Sequence, residues 1–445
     1  MFIYGIGYGL YIEKKEWLVM KEKICSFFEN SNNIIKASYF WNTLAGLLNA
    51  GQSVVILMVI SRINGLEDAG IFSIANAIAS LMLTVGNFGM RNYQVTDINE
   101  KYSFCNYISS RICTDVLMFL GSLYYIMKGW LLEDYSFYKM AIILSVCLLK
   151  LLDSIEDIFE GRCQQKGRLD VAARCLTIRY ALVLITLCGM IIVTGKVLVS
   201  FVVSLVVSIG VIIWYIKNIF SSYGRIEYKW ELQRIKRLLI ECIPLFGSAY
   251  LSMYIGNAPK YAIDATMASK EQACFNFVFM PVFVVGLLNN FIYQPILGKL
   301  AVRWKKQEFW AFVKMILGQC VFLSIAVVLV LAGGYLLGVP VLSFLYSTDL
   351  TSYKFELLIL LFGGGMLALA GFLNVTITII RRQKWLLIGY GLVALIALCS
   401  SRGIVVSYGT LGAAFLYSGL MVILAVIFII ELIVFIRKAM VYGEA

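Results

Sequence analysis

The six residues EDAGIF, at positions 67–72, have a counterpart in EQACFN, at positions 271–276, 204 residues further along the chain. The same offset places the apolar run at 37–61 on the apolar run at 241–265. Repeats that keep one orientation are typical of transporters whose two halves enclose a central site. The repeat therefore predicts a chain built from two similar halves.

The composition places both halves in a membrane. The chain has 445 residues, of which 61% are hydrophobic and only 14% charged, and its mean hydropathy is +0.85. A soluble domain is nearer ~45–50% apolar and ~25% charged. The apolar runs are continuous rather than alternating, which excludes a closed β-barrel and predicts helices of about 20 residues each. We expect twelve spans, at 37–61, 69–91, 105–128, 138–160, 171–194, 198–220, 241–265, 273–298, 311–337, 355–380, 385–404 and 409–436.

The distribution of Lys and Arg predicts the orientation. With a cytoplasmic N-terminus, 25 of the 38 basic residues fall in inner segments and 7 in outer ones. Such a bias is typical of cytoplasmic loops, and it places both termini in the cytoplasm. The longest basic loop separates two sets of six spans. The expected organisation is a cytoplasmic segment 1–36, a six-helix bundle 37–220, a basic linker 221–240, a second six-helix bundle 241–436 and a tail 437–445.

Several kinds of chemistry are excluded by residue type. The chain has no histidine, which excludes Ser-His-Asp and Cys-His sites and any His-ligated metal. Its eleven cysteines show no C-x-x-C spacing, and no G-x-x-x-x-G-K-[ST] loop is present. We expect no cofactor and no metal. The net charge of +12 is explained by the cytoplasmic loops, so no nucleic-acid partner is expected.

The stretch NAPKYAID, at positions 257–264, brings a proline, a cation and an anion into an apolar run. The repeat aligns Lys260 with Ile56 and Asp264 with Ile60, both inside the first span, so the two charges lie within span seven. A charge inside a bilayer is costly and points to a function. Lys260 can line a cavity, pair with Asp264 one turn away, or reach the outer surface. Pro259 predicts a kink beside it.

A second group of charges occupies spans three to five. Carboxylates and one lysine follow helical spacing along span four, and arginines lie in spans three and five. One interpretation is an ion-pair network that braces the first bundle. The other is a cytoplasmic gate or a protonation site, because paired carboxylates can share a proton. The candidate gate or ion-coupling residues are Lys150, Asp153, Asp157, Arg111, Asp115, Arg179 and Asp264.

Several short segments carry a family resemblance. SRING at 61–65 and GNFGMR at 86–91 resemble the opening of the polysaccharide and oligosaccharide-lipid flippases. These belong to the superfamily that also contains the multidrug and toxin extruders. Residues 164–170 are similar to the cytoplasmic Gln-and-Arg loop of that family, and 257–264 and 279–281 are similar to segments of bacterial members.

The resemblance implies an all-α membrane protein with two six-helix bundles around a cavity lined by spans one, two, seven and eight. It also implies a transported substrate, undecaprenyl diphosphate carrying a sugar repeat unit, moved by alternating access to the outer leaflet of the bacterial cell membrane. Expected partners are this lipid-linked glycan, the bilayer and glycan assembly enzymes, and we expect a monomer.

The chemistry of such a substrate selects the candidate binding residues. The diphosphate and sugars need a polar, cationic cavity, in which Lys and Arg bind phosphate and Asn and Gln serve hydroxyl groups. The arginines can instead anchor helices at the membrane interface, and the amides can form helix–helix hydrogen bonds. The candidates are Lys260, Arg62, Arg91, Asn49, Gln52, Asn257, Asn289, Asn290 and Gln294.

Two other functions stay open. A multidrug extruder of the same architecture would favour an acidic, aromatic cavity, whereas the candidates above are amides and cations. A membrane polymerase or glycosyltransferase needs catalytic surface outside the bilayer, but the longest outer loop, 338–354, has about seventeen residues. A transporter without enzymatic activity is the leading prediction.

Overall fold

Helices account for nearly all of the chain that the computed structural model describes, which comprises residues 26–28, 31, 33–97, 100–132, 134–223 and 230–442. At positions 221, 283, 284 and 286–295 only the backbone is described. The helices are α1 (Ile34–Ile63), α2 (Leu66–Asn87), α3 (Met90–Thr96), α4 (Phe104–Leu132), α5 (Phe137–Gln165), α6 (Leu169–Thr194), α7 (Val197–Asn218), α8 (Leu232–Asp264), α9 (Ser269–Lys305), α10 (Phe309–Gly333), α11 (Val339–Tyr346), α12 (Lys354–Ile379) and α13 (Gln383–Tyr442).

Local signals set the helix ends. The Asn33 side chain accepts a hydrogen bond from the backbone N–H of Lys36 (3.0 Å) and caps α1. Ser136 caps α5 in the same way through the N–H of Lys139 (3.2 Å). Gly195 ends α6 with a φ of 65°, a conformation that glycine adopts without a Cβ penalty.

The predicted all-α membrane fold is confirmed, and the helices are consistent with about twelve spans. By length and composition, nine helices within the described residues can cross a membrane, and α13 is counted once among them. Gly409, with φ 60° and ψ −142°, bends α13 into two spans. With α13 counted as two spans, and with α5 and α9 added to the nine, the number of spans is twelve. The α10 helix continues into α11 through a π-helical turn, Gly334–Gly338.

The helices pack as two bundles with the same pattern of neighbours. In the first bundle α1 packs on α6, and α2 packs on α4 and α5. In the second bundle α8 packs on α13, and α9 packs on α10 and α12. The offset of 204 residues relates α1 to α8 and α2 to α9, so the sequence repeat corresponds to a structural one. This arrangement confirms the expected two-bundle architecture.

The bundles meet tightly at the end of the molecule that carries Gly70, which we call the Gly70 end. A Cβ on Gly70 would collide with the carbonyl oxygen of Ser269, so only glycine permits this approach of α2 and α9. Arg62 donates to the carbonyl oxygens of Phe344 (2.7 Å) and Leu345 (2.9 Å), near the last turn of α11. Arginine is favourable there because these carbonyls carry partial negative charge.

At the opposite end, called the Arg91 end, α8 also contacts the first bundle. The rings of Phe88 and Phe246 stack with centroids 4.3 Å apart. Lys101 forms an ion pair with Glu241 (2.8 Å), and the Tyr93 hydroxyl donates to the same carboxylate. The α8 helix, which runs unbroken through both of its prolines, is thereby joined to the first bundle at the Arg91 end.

Candidate substrate vestibule

A polar cleft of about 490 Å³ opens at the Arg91 end, between α8 and the first bundle. We call it the vestibule. Four carboxamides and one guanidinium converge on it from α1, α2, α3 and α5, whereas α8 contributes an apolar wall. Its lining residues are Asn42, Thr84, Asn87, Gly89, Arg91, Asn92, Asp157, Gln164, Leu169 and Ala249. Its volume falls within the range of roughly 300–1,000 Å³ that is usual for small-molecule sites.

Arg91 lies in this wall and is held by α5. Its Nη1 contacts Glu160 Oε2 at 2.6 Å and Asp157 Oδ1 at 3.2 Å, and its Nη2 donates to Gln164 Oε1 at 3.1 Å. The side chain is 26% exposed, so part of the guanidinium remains open to the vestibule. Arg91, a candidate from the sequence, thus lines the vestibule.

Asp157 connects the vestibule to the interior of the first bundle. Its second oxygen, Oδ2, lies 2.7 Å from Nη2 of the buried Arg111. Arg111 also donates to the carbonyl oxygen of Gly86 (2.6 Å) and to Ser154 Oγ (3.1 Å). The Ser154 hydroxyl in turn donates to Asp115 Oδ1 (2.6 Å). The expected ion-pair network along α5 is therefore present, and it brings together Arg91, Arg111, Asp115 and Asp157.

A second set of ion pairs lies on the same charged face of α5, one to two turns nearer the start of the helix. Arg179, which is 2% exposed, bonds Glu156 Oε2 at 2.5 Å and Asp153 Oδ1 at 2.6 Å. Lys150 contacts the other oxygen of Asp153 at 2.9 Å and donates to Asn49 Oδ1 at 3.4 Å. The candidate gate residues of span four therefore share one face of the helix but have different partners: Asp157 pairs with Arg111, whereas Asp153 pairs with Lys150 and Arg179.

A small, partly open space, the bundle cavity, lies beside this second set inside the first bundle. Its volume is about 50 Å³, enough for one or two waters of ~30 Å³ or a small ion. Asn49 and Gln52, expected to bind substrate, line this cavity rather than the vestibule. In this conformation the space is too small for a sugar. Its lining residues are Asn49, Gln52, Ser53, Ile56, Phe72, Asn76, Val146, Leu149, Lys150, Asp153, Arg179, Tyr180, Val183 and Phe201.

Lys260 is buried, with 5% of its surface exposed. Its ammonium lies 4.3 Å from the ring centroid of Phe279 in α9. Within the described part of the chain it has neither a hydrogen bond nor an ion pair. Since Lys260 aligns with Ile56, which lines the bundle cavity, the lysine occupies the equivalent position of the second bundle.

The alternative ion pair between Lys260 and Asp264 is wrong. Asp264 is bonded instead by Lys139 (2.5 Å) and by the Tyr135 hydroxyl, both near the start of α5. The reason is geometric: Asp264 is the last residue of α8 and reaches the neighbouring bundle, whereas Lys260 points to Phe279. Asp264 therefore joins the two bundles.

The remaining candidates have other positions. Asn257 donates to the carbonyl oxygen of Met253 in its own helix (3.1 Å), rather than to a neighbouring helix. Arg62 is used at the contact with α11. The side chains of Asn289, Asn290 and Gln294 lie outside the described residues, although their backbone belongs to α9.

Sequence reasoning missed several residues of the vestibule region. Asn42, Asn92 and Gln94 are isolated amides near helix ends, and only their placement in space gathers them. Tyr93 was not singled out either. Its hydroxyl donates to Glu241 of α8 and so helps join α3 to the second bundle. A polar residue one turn from Arg91 was the signal that could have identified Gln94.

Comparison with known proteins assigns the chain to a family. The model of the family described as "Polysaccharide biosynthesis protein" matches residues 35–301, which is more than half of the chain and includes the vestibule. The chain belongs to this polysaccharide biosynthesis family. A similar protein, the capsular polysaccharide biosynthesis protein CapF of Staphylococcus aureus, is 25% identical over 390 residues, covering 83% of this chain and 92% of CapF.

Solved structures show which fold this family member has. The lipid II flippase MurJ in an inward closed conformation matches with a TM-score of 0.70 at 14% identity, over 89% of both chains. An inward-facing multidrug resistance transporter of the MATE family matches with a TM-score of 0.63 at 13% identity, over 89% of this chain and 94% of that one. The chain is therefore a multi-pass membrane protein with a transporter fold, as the sequence resemblance implied.

Proposed function

We propose that the chain carries a glycan linked to a lipid diphosphate from the cytoplasmic to the outer leaflet of a bacterial cell membrane, by alternating access. The observation that carries this proposal is the vestibule. It combines one partly exposed guanidinium with four carboxamides between two bundles that are closed at the Gly70 end. Arginine binds phosphate oxygens through charge-assisted hydrogen bonds, and carboxamides both donate to and accept from sugar hydroxyls.

The family supports the substrate class. CapF is named for capsular polysaccharide biosynthesis and MurJ for flipping lipid II. In this proposal the lipid tail stays in the bilayer, because only the polar head needs to leave water. The Arg91 end faces the cytoplasm, in agreement with the Lys and Arg bias of the sequence, and both termini are cytoplasmic.

Two further sites belong to the proposal. The ion pairs of Lys150, Asp153 and Arg179 beside the bundle cavity form a gate or ion-coupling site of the first bundle. Lys260, a buried cation without an ion pair among the described residues, interacts with the substrate when the bundles rearrange. The protein acts as a transporter without catalysis, and it works as a monomer beside glycan assembly enzymes.

The multidrug extruder remains the second candidate, because a MATE transporter shares the fold. A carboxylate free to bind an organic cation would favour it. Asp157, the carboxylate that lines the vestibule, is already shared by Arg91 and Arg111. The vestibule is therefore better suited to an anionic, hydroxyl-rich head.

A flipping assay tests the proposal. The purified chain is reconstituted in liposomes containing a fluorescent short-chain prenyl diphosphate that carries one sugar, and access of a membrane-impermeant quencher to the label is followed with time. We expect faster exposure of the label than in protein-free liposomes and no effect of an organic cation. Ethidium efflux without flipping of the glycolipid would contradict the proposal and support the extruder.

A further inference from the structure

Gln94 has an unusual environment for a buried amide. It is 0% exposed, and neither its Nε2 nor its Oε1 has a hydrogen-bond partner among the described residues. An unpaired amide of this kind destabilises a structure by roughly 1–3 kcal/mol. Gln94 lies on α3, three residues after Arg91, so both side chains project from the same face of that short helix.

Both side chains meet α5 at the same place. A Cβ on Gly161 would collide with Gln94 Oε1, and it would lie 3.4 Å from Arg91 Cγ. Gly161 immediately follows Glu160, the closest carboxylate partner of Arg91. The absence of a side chain at Gly161 lets α3 approach α5 until the Gln94 amide packs against Gly161, the residue that follows Glu160 in the helix.

Binding of a diphosphate at Arg91 disturbs this ion pair. The guanidinium already serves two carboxylates and Gln164, so phosphate oxygens must compete with them for its N–H groups. A carboxylate that loses its cation in a buried site is strongly destabilised unless another donor replaces it. Asp157 has such a donor in Arg111, at 2.7 Å. Glu160, with a side chain 5% exposed, has no second ion pair among the described residues.

We propose that Gln94 is the reserve partner of Glu160: when Arg91 turns to the anionic head of the substrate, the Gln94 amide donates to the released Glu160 carboxylate. Gln94 is a positioning residue in this exchange and does not touch the substrate. Its unpaired state in the present conformation lowers the cost of releasing Arg91, because the exchange satisfies one buried amide as it frees one carboxylate. The inference rests on the proposed function, in which Arg91 binds the diphosphate.

The exchange can be measured as a binding energy. The probe is geranylgeranyl diphosphate, bound to the purified full-length chain in detergent and measured by calorimetry, with the neutral alcohol geranylgeraniol as reference. Gln94→Met removes the amide and keeps the size of the side chain. We expect it to weaken diphosphate binding about tenfold, the loss of one hydrogen bond to a charged group. The same variant should unfold at a higher temperature, because it removes an unpaired buried amide. If Gln94 were needed only for packing, Gln94→Met would lower both the diphosphate affinity and the unfolding temperature.

A double-mutant cycle isolates the pair. In a Glu160→Gln background, Gln94→Met should no longer change the diphosphate affinity, because no carboxylate is released. The exchanged pair, Gln94→Glu with Glu160→Gln, should bind more tightly than Gln94→Glu alone, in which two carboxylates face each other. Gln165→Met is the matched control: Gln165 is a neighbouring amide that bonds the Asp97 carbonyl outside the vestibule, and its variant should bind the probe like the wild type.

The outcomes separate the two proposals. If the wild type binds the diphosphate no better than the alcohol, then Arg91 holds no diphosphate, and the head site and the exchange both fail. If the wild type prefers the diphosphate but Gln94→Met binds it equally well, the head site stands and the exchange is overturned. The exchange is also overturned if Gln94→Met changes the diphosphate affinity equally in the wild-type and the Glu160→Gln backgrounds.

Discussion

Lys139, near the start of α5, forms an ion pair of 2.5 Å with Asp264, the last residue of α8. The two side chains are 13% and 4% exposed, so the pair is largely withdrawn from solvent. It joins the first bundle to the second at the Gly70 end, beside the close approach of Gly70 and Ser269. The pair thus belongs to the contact that must open if the bundles rock.

Breaking this pair on one side should destabilise the protein. Lys139→Met leaves Asp264 buried without its cation, for which we expect a loss of about 3–5 kcal/mol. Adding Asp264→Leu should recover most of that loss, because the uncompensated charge is then gone. Thermal unfolding of the purified variants in detergent provides the measurement. Lys196→Met, at an exposed position, is the control. If the stability losses of Lys139→Met and Asp264→Leu simply added in the double variant, the two residues would not form a direct pair.

Gly70→Ala should prevent closure of the Gly70 end. The new Cβ collides with a backbone oxygen, which cannot move aside as a flexible side chain would. Overpacking of this kind costs about 1–3 kcal/mol in this conformation. We expect a lower unfolding temperature and slower flipping in liposomes. Gly189→Ala, where a Cβ meets no atom within 4 Å, should leave both unchanged or raise stability slightly. Equal behaviour of the two variants would argue against a tight α2–α9 contact.

The two arginines predicted from sequence should behave differently. Arg91→Gln removes the vestibule cation, and we expect it to reduce prenyl diphosphate binding at least tenfold. Arg62→Gln removes two hydrogen bonds from an exposed side chain to the end of α11. We expect it to cost about 1 kcal/mol of stability and to leave the affinity unchanged. Calorimetric titration and thermal unfolding of both variants distinguish these roles. Loss of affinity in Arg62→Gln would place that arginine in the site.

Lys260→Met should separate stability from transport. The lysine is buried without a counter-ion among the described residues, so its replacement removes a desolvation penalty and loses a cation–π contact of at most about 2 kcal/mol. We expect an unfolding temperature equal to or above that of the wild type, together with loss of complementation in a flippase-deficient strain. Normal surface glycan from the stably expressed variant would refute a role for Lys260 in transport.

The architecture could be predicted because it depends on patterns that are local in sequence. Continuous apolar runs of about 20 residues, separated by caps such as Asn33 and turns such as Gly195, define the spans. The repeat at an offset of 204 residues then predicted which helices occupy equivalent positions. The break between the spans expected at 385–404 and 409–436 lies at Gly409, where a single glycine with a positive φ interrupts the helical backbone and redirects the chain.

The site was harder to predict, because polar residues of similar type occupy different environments. Arg91 lies in the vestibule, whereas Asn49 and Gln52 lie in the bundle cavity, although all three fit the same chemical description. Lys260 and Asp264 have the spacing of an ion pair, yet a lysine from another helix takes the carboxylate. Spacing along one helix does not reveal a competing partner that comes from a distant part of the chain.

The amino-acid sequence by itself determined the membrane class, the twelve spans, the two-half organisation and the charged face of α5, since each follows from hydrophobicity and helical periodicity. Only the tertiary structure decided which charges pair and which amide stays unpaired. Asp157 is shared by Arg91 and Arg111, and Gln94 is buried against Gly161 beside Glu160. The physical reason is that ion pairs and buried hydrogen bonds act over a few ångströms between residues far apart in sequence, so packing of the helices selects the partners.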